Sequence, residues 1–170
     1  MREAHYKEYE YLINLLKEGG IPMLEEAESI IDSFPTGKDQ LVGRNWIINA
    51  IDCGSIESVK WVLSRKIDLS FRDDEGSTPL LSAIDRDLPE KYEILQILID
   101  HGAPINKKGF NDWSPLHLAA ARNDVDALKV LIKNNADLYI RTEIDDYATP
   151  IEEAKSLNCN KAYEYLQSIV

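Results

Sequence analysis

The side chains best suited to catalysis or metal binding in this 170-residue chain are three histidines, two cysteines and thirty acidic residues. A nucleophilic thiol needs a base, and the base needs a third group to orient it. Cys53 and Cys159 lie far apart, form no C-x-x-C pair and have no histidine close in sequence. They read as two reduced thiols. His5, His101 and His117 build no H-E-x-x-H helix, and no glycine-rich loop is present to cradle phosphate. Carboxylates offer more. Asp73-Asp74-Glu75, Asp85 with Asp87, and Asp145-Asp146 are conceivable acid/base pairs or cation ligands. None has the D-x-[DN]-x-[DN]-G spacing of a calcium loop, and acidic runs ordinarily face water or partners. The expectation is a chain with no catalytic residues, no metal and no cofactor. A metal-dependent enzyme built on Asp85, Asp87 or His117 is the weakest alternative.

Nineteen Lys and Arg against thirty Asp and Glu leave a formal charge of −11. Such a chain repels a phosphate backbone, which argues against nucleic acid as a partner and favours a basic protein. No apolar run reaches the roughly eighteen residues of a membrane helix. The start, Met1-Arg2-Glu3-Ala4-His5-Tyr6-Lys7-Glu8, has no apolar signal region. A cytoplasmic protein without membrane contact is expected. With 44% hydrophobic and 29% charged residues, the composition is that of one soluble domain able to bury a core without disulfides.

The elements that must position these groups repeat. Asn45-Trp46-Ile47-Ile48-Asn49-Ala50-Ile51-Asp52 lies 33 positions before Thr78-Pro79-Leu80-Leu81-Ser82-Ala83-Ile84-Asp85. Ser114-Pro115-Leu116-His117-Leu118-Ala119-Ala120 follows 36 positions on, and Thr149-Pro150-Ile151-Glu152-Glu153-Ala154 another 35. A second phrase keeps step through Val59 to Leu63, Leu95 to Ile99 and Leu128 to Ile132. The departures from 33 fall around Asp87-Leu88-Pro89 and between Leu138 and Thr149, where loops absorb insertions.

Each unit reads as a short helix, a turn, a second helix and an extended loop. Thr78, Ser114 and Thr149 are N-caps followed by proline at the first helical position, and Glu152 completes a capping box. Gly102 and Asn135 end helices where a left-handed residue is wanted; Lys66 holds the equivalent place in the first unit and predicts a less regular end. Before the repeats, Tyr9, Leu12, Ile13 and Leu16 trace one helical stripe, and Met23, Ala27, Ile30 and Ile31 a second.

These phrases resemble the ankyrin repeat, whose signature is T-P-L-H-x-A. The resemblance covers about residues 40–170. It implies an all-α solenoid of stacked helix-turn-helix units with extended loops: four repeats at about 40–72, 73–108, 109–143 and 144–170, forming one continuous domain with a helical capping pair or degenerate repeat over 1–39. The first unit departs from the pattern with Trp46 for proline and Ile48 for histidine, the fourth with Glu152 for histidine. In the family, the histidine matching His117 bonds to neighbouring loop backbone.

The resemblance further implies non-enzymatic protein binding by a concave face of loop tips and exposed first-helix positions. Those positions are Leu41, Val42 and Arg44; Asp74, Glu75, Ser77, Asp85 and Arg86; Phe110, Asn111, Trp113 and Arg122; and Asp145, Asp146 and Tyr147. Phe110 and Trp113, in a polar loop, are interface anchors if they stand free; packing of Trp113 on the next loop is the competing reading. The flanking acids favour a basic partner, and the free chain is expected to be a monomer. An immunity protein against a bacterial toxin is the sharpest version, and a general adaptor the alternative.

Overall fold

The computed structural model describes residues 2–144 and 147–170. Ten α-helices and one short 3₁₀ turn, Phe110–Asp112, carry the described chain. Strands are absent among the described residues; only an isolated bridge joins Lys38 and Asn45. The class is all-α, built from repeated helix pairs. Two compact units divide the chain, residues 1–68 and 69–170.

In residues 1–68, α1 (Arg2–Glu18) and α2 (Ile21–Ile30) form one pair, α3 (Trp46–Cys53) and α4 (Ile56–Leu63) the next. Helix α1 packs on α3, and α2 on α4. Leu12 and Leu16 are buried as their spacing predicts, and Leu15 joins them. The second stripe is rotated from the expected one. Met23 and Ile30 point outward, 48% and 73% exposed, while Leu24 and Ala27 fill the core. Ala27 belongs to both stripes, so spacing alone did not choose between them, and Ile31 leaves the helix in an extended conformation. Where α1 ends, the Leu16 carbonyl accepts from the Ser55 amide at 2.9 Å and the Ser58 hydroxyl at 2.6 Å. That satisfies an orphan carbonyl of the helix terminus.

In residues 69–170, the pairs are α5 (Pro79–Asp85) with α6 (Lys91–Asp100), α7 (Pro115–Ala121) with α8 (Val125–Lys133), and α9 (Pro150–Ser156) with α10 (Asn160–Gln167). First helices stack in the order α5, α7, α9, and second helices in the order α6, α8, α10. Leu80, Leu81, Ile94, Leu98, Leu116, Leu118 and Leu128 fill the space between the layers. Thr78, Ser114 and Thr149 each accept the amide three residues on, and proline opens each helix. Capping boxes close at Ser114 with His117 and at Thr149 with Glu152.

Helix ends follow one geometry. Lys66, Gly102 and Asn135 have φ of 56°, 85° and 65°. Each donates its amide three residues back, to Leu63, Ile99 and Ile132. The Gly102 and Asn135 ends add a second bond, from Ala103 to Leu98 and from Ala136 to Leu131, both at 3.0 Å, and the Lys66 end does not, so it is the less regular one, as its side chain predicts; the left-handed conformation costs a non-glycine residue about 1 kcal/mol.

The insertions sit where the period placed them. Five residues, 86–90, separate α5 from α6, whereas three separate α7 from α8 and α9 from α10.

Candidate functional site

Loops between the helix pairs are closed by a backbone bond across each tip. Asp73 donates to the Ser77 carbonyl, Gly109 to Trp113 and Thr142 to Ala148, at 2.9, 2.8 and 3.0 Å. The last loop is longer by two residues, and those two, Asp145 and Asp146, lie outside the described residues. Neighbouring loops then lock together. A Cβ on Gly76 would meet the Phe110 backbone at 3.4 Å. Asp112 accepts the Glu143 amide at 2.6 Å and the Lys108 ammonium at 2.9 Å. His117 reaches from α7 to the Ala148 carbonyl, with Nε2 at 2.9 Å.

His117 is fully buried, and its other nitrogen faces the Ser114 amide at 3.3 Å and hydroxyl at 2.8 Å. Because an amide can only donate, Nδ1 accepts and Nε2 carries the proton to Ala148. Burial holds its pKa below the ordinary 6.5, against the raising effect of the Ala148 bond. This imidazole ties two repeats, as the resemblance implied.

The tip residues of 69–170 differ in exposure. Asp74 and Glu75 are exposed. Ser77 is half-buried against Ser82, and Asp73 accepts the amides of Glu75 and Ser77 to shape the turn. Asn111 is exposed, in left-handed backbone at φ 54°. Phe110 and Trp113 are each half-buried, ring centres 6.2 Å apart, so neither stands free in its loop. Trp113 lines a notch of about 340 Å³ with Asn111, Thr142, Ile144, Glu153 and Ser156. Tyr147 is 61% exposed. Tyr139 and Ile144, 67% and 48% exposed, were missed by the sequence reading. Their signal was an apolar side chain in a polar loop, the same one that singled out Trp113.

Other candidates turn inward. Arg86 is 6% exposed, its guanidinium 4.0 Å from Glu90. The reason is local: as the C-cap of α5 it adopts φ −58° and ψ 129°, leaving the helix at the start of the widened turn. It is a correction to its expected place on the surface. Arg44, in residues 1–68, is half-buried and grips Asp52 at 2.6 Å; Leu41 is half-buried and Val42 exposed. Just before them, the buried Asp39 carboxylate accepts four backbone amides, Leu41 to Arg44, and the Asn49 side chain.

Asp85 accepts from Arg122 at 2.8 Å, joining the ends of α5 and α7 beside a groove of about 630 Å³ at the interhelical turns. In that groove Lys91 pairs with Asp124 at 2.6 Å, and the Tyr92 hydroxyl donates to the same carboxylate at 3.0 Å. Burial, then the Asp124 bond, pushes Tyr92 up to about 12. Burial would raise Asp124, but bonds from Lys91, Ala127 and Tyr92 outweigh it and hold its pKa low. These opposite charges answer one another within the protein. Among the described residues, no group of three or more His, Cys, Asp or Glu side chains is placed to hold a metal, and no helix is long and apolar enough to cross a membrane.

A family model of ankyrin repeats, in three overlapping copies, matches residues 4–109, 46–142 and 90–168. Among similar proteins, the RelA-associated inhibitor of Mus musculus is 32% identical over 107 residues, 63% of this chain and 12% of that protein. The B-cell lymphoma 3 protein homolog of Mus musculus is 27% identical over 135 residues, 76% of this chain and 29% of its own length. The ankyrin repeat protein YahD of Escherichia coli is 31% identical over 85 residues, 50% of this chain and 41% of YahD. The matched region is thus a minor part of each of these relatives.

Proposed function

The chain belongs to the ankyrin-repeat family, whose repeats mediate protein–protein interaction, and from that premise we propose that it is a non-enzymatic module that captures one basic protein. The observation that carries this reading is the bonding between neighbouring loops, where Gly76 lies against Phe110, Asp112 accepts from Glu143 and His117 donates to Ala148. A surface held in one arrangement before binding loses little entropy when it binds. On it, Asp74 and Glu75 supply exposed negative charge, Phe110, Trp113 and Tyr147 supply aromatic area, and Ser77, Asn111, Asp85 and Arg122 supply polar contacts. Asp145 and Asp146 extend the acidic character by sequence alone. Arg86 is left out because it is buried, and Arg44 because it lies in residues 1–68, apart from the unit that carries these loops.

The excess of acid raises the rate of encounter with a basic surface. One relative is by name an inhibitor associated with another protein, and masking a partner's surface is the simplest inhibition such a module performs. The sharper form is immunity: a cytoplasmic chain, monomeric when free, that covers the basic active face of a toxin. Affinity purification of the full chain from its own host, at low and high salt, tests both. One basic protein released at high salt, and lost when Asp74 and Glu75 become Asn and Gln, is the expected result. Many partners of mixed charge would instead make the chain an adaptor.

A further inference from the structure

We propose that the groove along the interhelical turns is a second interaction surface, and that its occupant is an extended peptide segment of a partner protein. The segment carries a basic side chain and, about five or six residues away, an acidic one. This goes beyond the loop surface and stands without it. The groove runs from Ile84 at the end of α5 to Lys161 at the start of α10, so it crosses three repeats. Its volume, about 630 Å³, lies within the range of ligand sites, and its reach across three stacked layers suits a linear occupant. Most of its charge is already answered within the protein. Lys91 holds Asp124 at 2.6 Å, Arg122 holds Asp85 at 2.8 Å and Lys129 holds Asp126 at 2.8 Å. Arg86 is buried, 4.0 Å from Glu90. Asp87 and Lys161 differ: both are exposed, and neither side chain has an ion pair or hydrogen bond among the described residues.

These two charges are opposite in sign and belong to repeats two layers apart. Asp87 sits in the widened turn 86–90, and Lys161 in the first turn of α10. Layers spaced at 8–10 Å separate them by about 16–20 Å. An extended chain rises about 3.3 Å per residue, so about five or six residues bridge them. At the Asp87 end a side hollow of about 320 Å³ is lined by Asp87, Leu88, Pro89, Lys91 and Tyr92. It offers an apolar wall to the stem of a lysine or arginine and a carboxylate to its head. The other turns of this unit, 122–124 and 157–159, are shorter and lack these residues. Both ends are set before binding. The Lys91 amide donates to the Leu88 carbonyl at 3.1 Å, and the Asn123 side chain accepts the Ala162 amide at 2.9 Å, which anchors the start of α10. A segment with both signs at that spacing is matched at each end, whereas a uniformly basic chain meets Lys161 with the wrong sign.

The test uses the full chain with backbone nitrogens labelled and the capped hexapeptide Arg-Thr-Thr-Thr-Thr-Glu as probe. A control of identical composition, Thr-Thr-Arg-Glu-Thr-Thr, has its charges too close to reach both ends. The spaced peptide is expected to shift the amide signals of the 86–90 turn and of the first turn of α10 saturably. Asp87→Asn and Lys161→Gln should each weaken it about two- to fivefold, the scale of an exposed ion pair, and the control peptide should be weaker by a similar factor. Citrulline in place of the peptide's arginine should remove the effect of Asp87→Asn and leave that of Lys161→Gln. Both side chains are exposed, so the variants should keep the parent's urea midpoint. No saturable shift, equal binding of the two peptides, or indifference to either substitution would each overturn the assignment. Should the peptide fail while a basic partner is still captured through Asp74 and Glu75, the groove alone has failed; should the peptide bind with no basic partner captured, the loop reading has.

Discussion

At the scale of single residues, His117 is a buried titratable side chain whose Nδ1 holds the Ser114 cap of its own repeat while Nε2 donates to Ala148 of the next. Its pKa is depressed by burial, so below the ordinary 6.5 the unfolded chain takes up a proton that the folded chain resists. Stability contributed by this site is complete above 6.5 and declines as pH falls from there through the folded pKa. Carboxylates such as Asp124 and Glu152 titrate from lower ordinary values, 3.8 and 4.5, which leaves the upper window to imidazole. His117→Leu should cost about 1–3 kcal/mol for each polar group it leaves bare at pH 7, and flatten the decline just below 6.5. Urea unfolding at several pH values measures both; an unchanged slope in that window would show that His117 does not set the dependence. His117 was legible in advance because a repeated phrase fixed its surroundings. Asp39 was not, since a carboxylate gathering four amides depends on a loop path that no periodicity reports.

Elements were read best where the chain repeats itself. The extra residues at 86–90 and in the last loop fall outside the helices, so the stacking of α5, α7 and α9 is undisturbed. Phase was harder: in α2 the expected stripe of Met23, Ala27, Ile30 and Ile31 holds only at Ala27, and contact with α1 and α4 buries Leu24 in place of Met23 and Ile30. Among the interface candidates, Phe110 and Trp113 were found by type but their half-burial was not, because it depends on how closely adjacent loops approach. Gly109 sets that approach. A Cβ there would strike the Leu81 side chain and come to 2.5 Å from the Gly76 carbonyl oxygen. Gly109→Ala should therefore push the 109–113 loop from α5 and cost about 1–3 kcal/mol, as overpacking does. A lowered urea midpoint together with a moved Trp113 indole signal is the expected pair of results. A midpoint equal to that of the parent chain would show that the loop yields freely and that the surface is less fixed than its bonds suggest.

For the molecule as a whole, charge acts on folding and on binding with opposite signs. A formal −11 repels itself across the surface, and compact folding brings those charges closer. That excess was plain in the composition. The division at residues 68 and 69 was not, since a repeat period continues through it and says nothing of how densely neighbours pack. Raising sodium chloride from about 0.1 to 1 M shortens the screening length from about 10 to about 3 Å. Repulsion between distant loops is then removed, whereas the short pairs Arg65 with Glu28, Arg44 with Asp52 and Lys91 with Asp124, all at 2.6 Å, are screened least. Added salt should thus raise the urea midpoint of the free chain while slowing its association with a basic partner. Capture kinetics and unfolding curves over the same salt series separate the two effects. If the midpoint fell along with the association rate, the ion pairs would outweigh the net charge, and an acidic surface would be stabilising the fold as well as recruiting the partner.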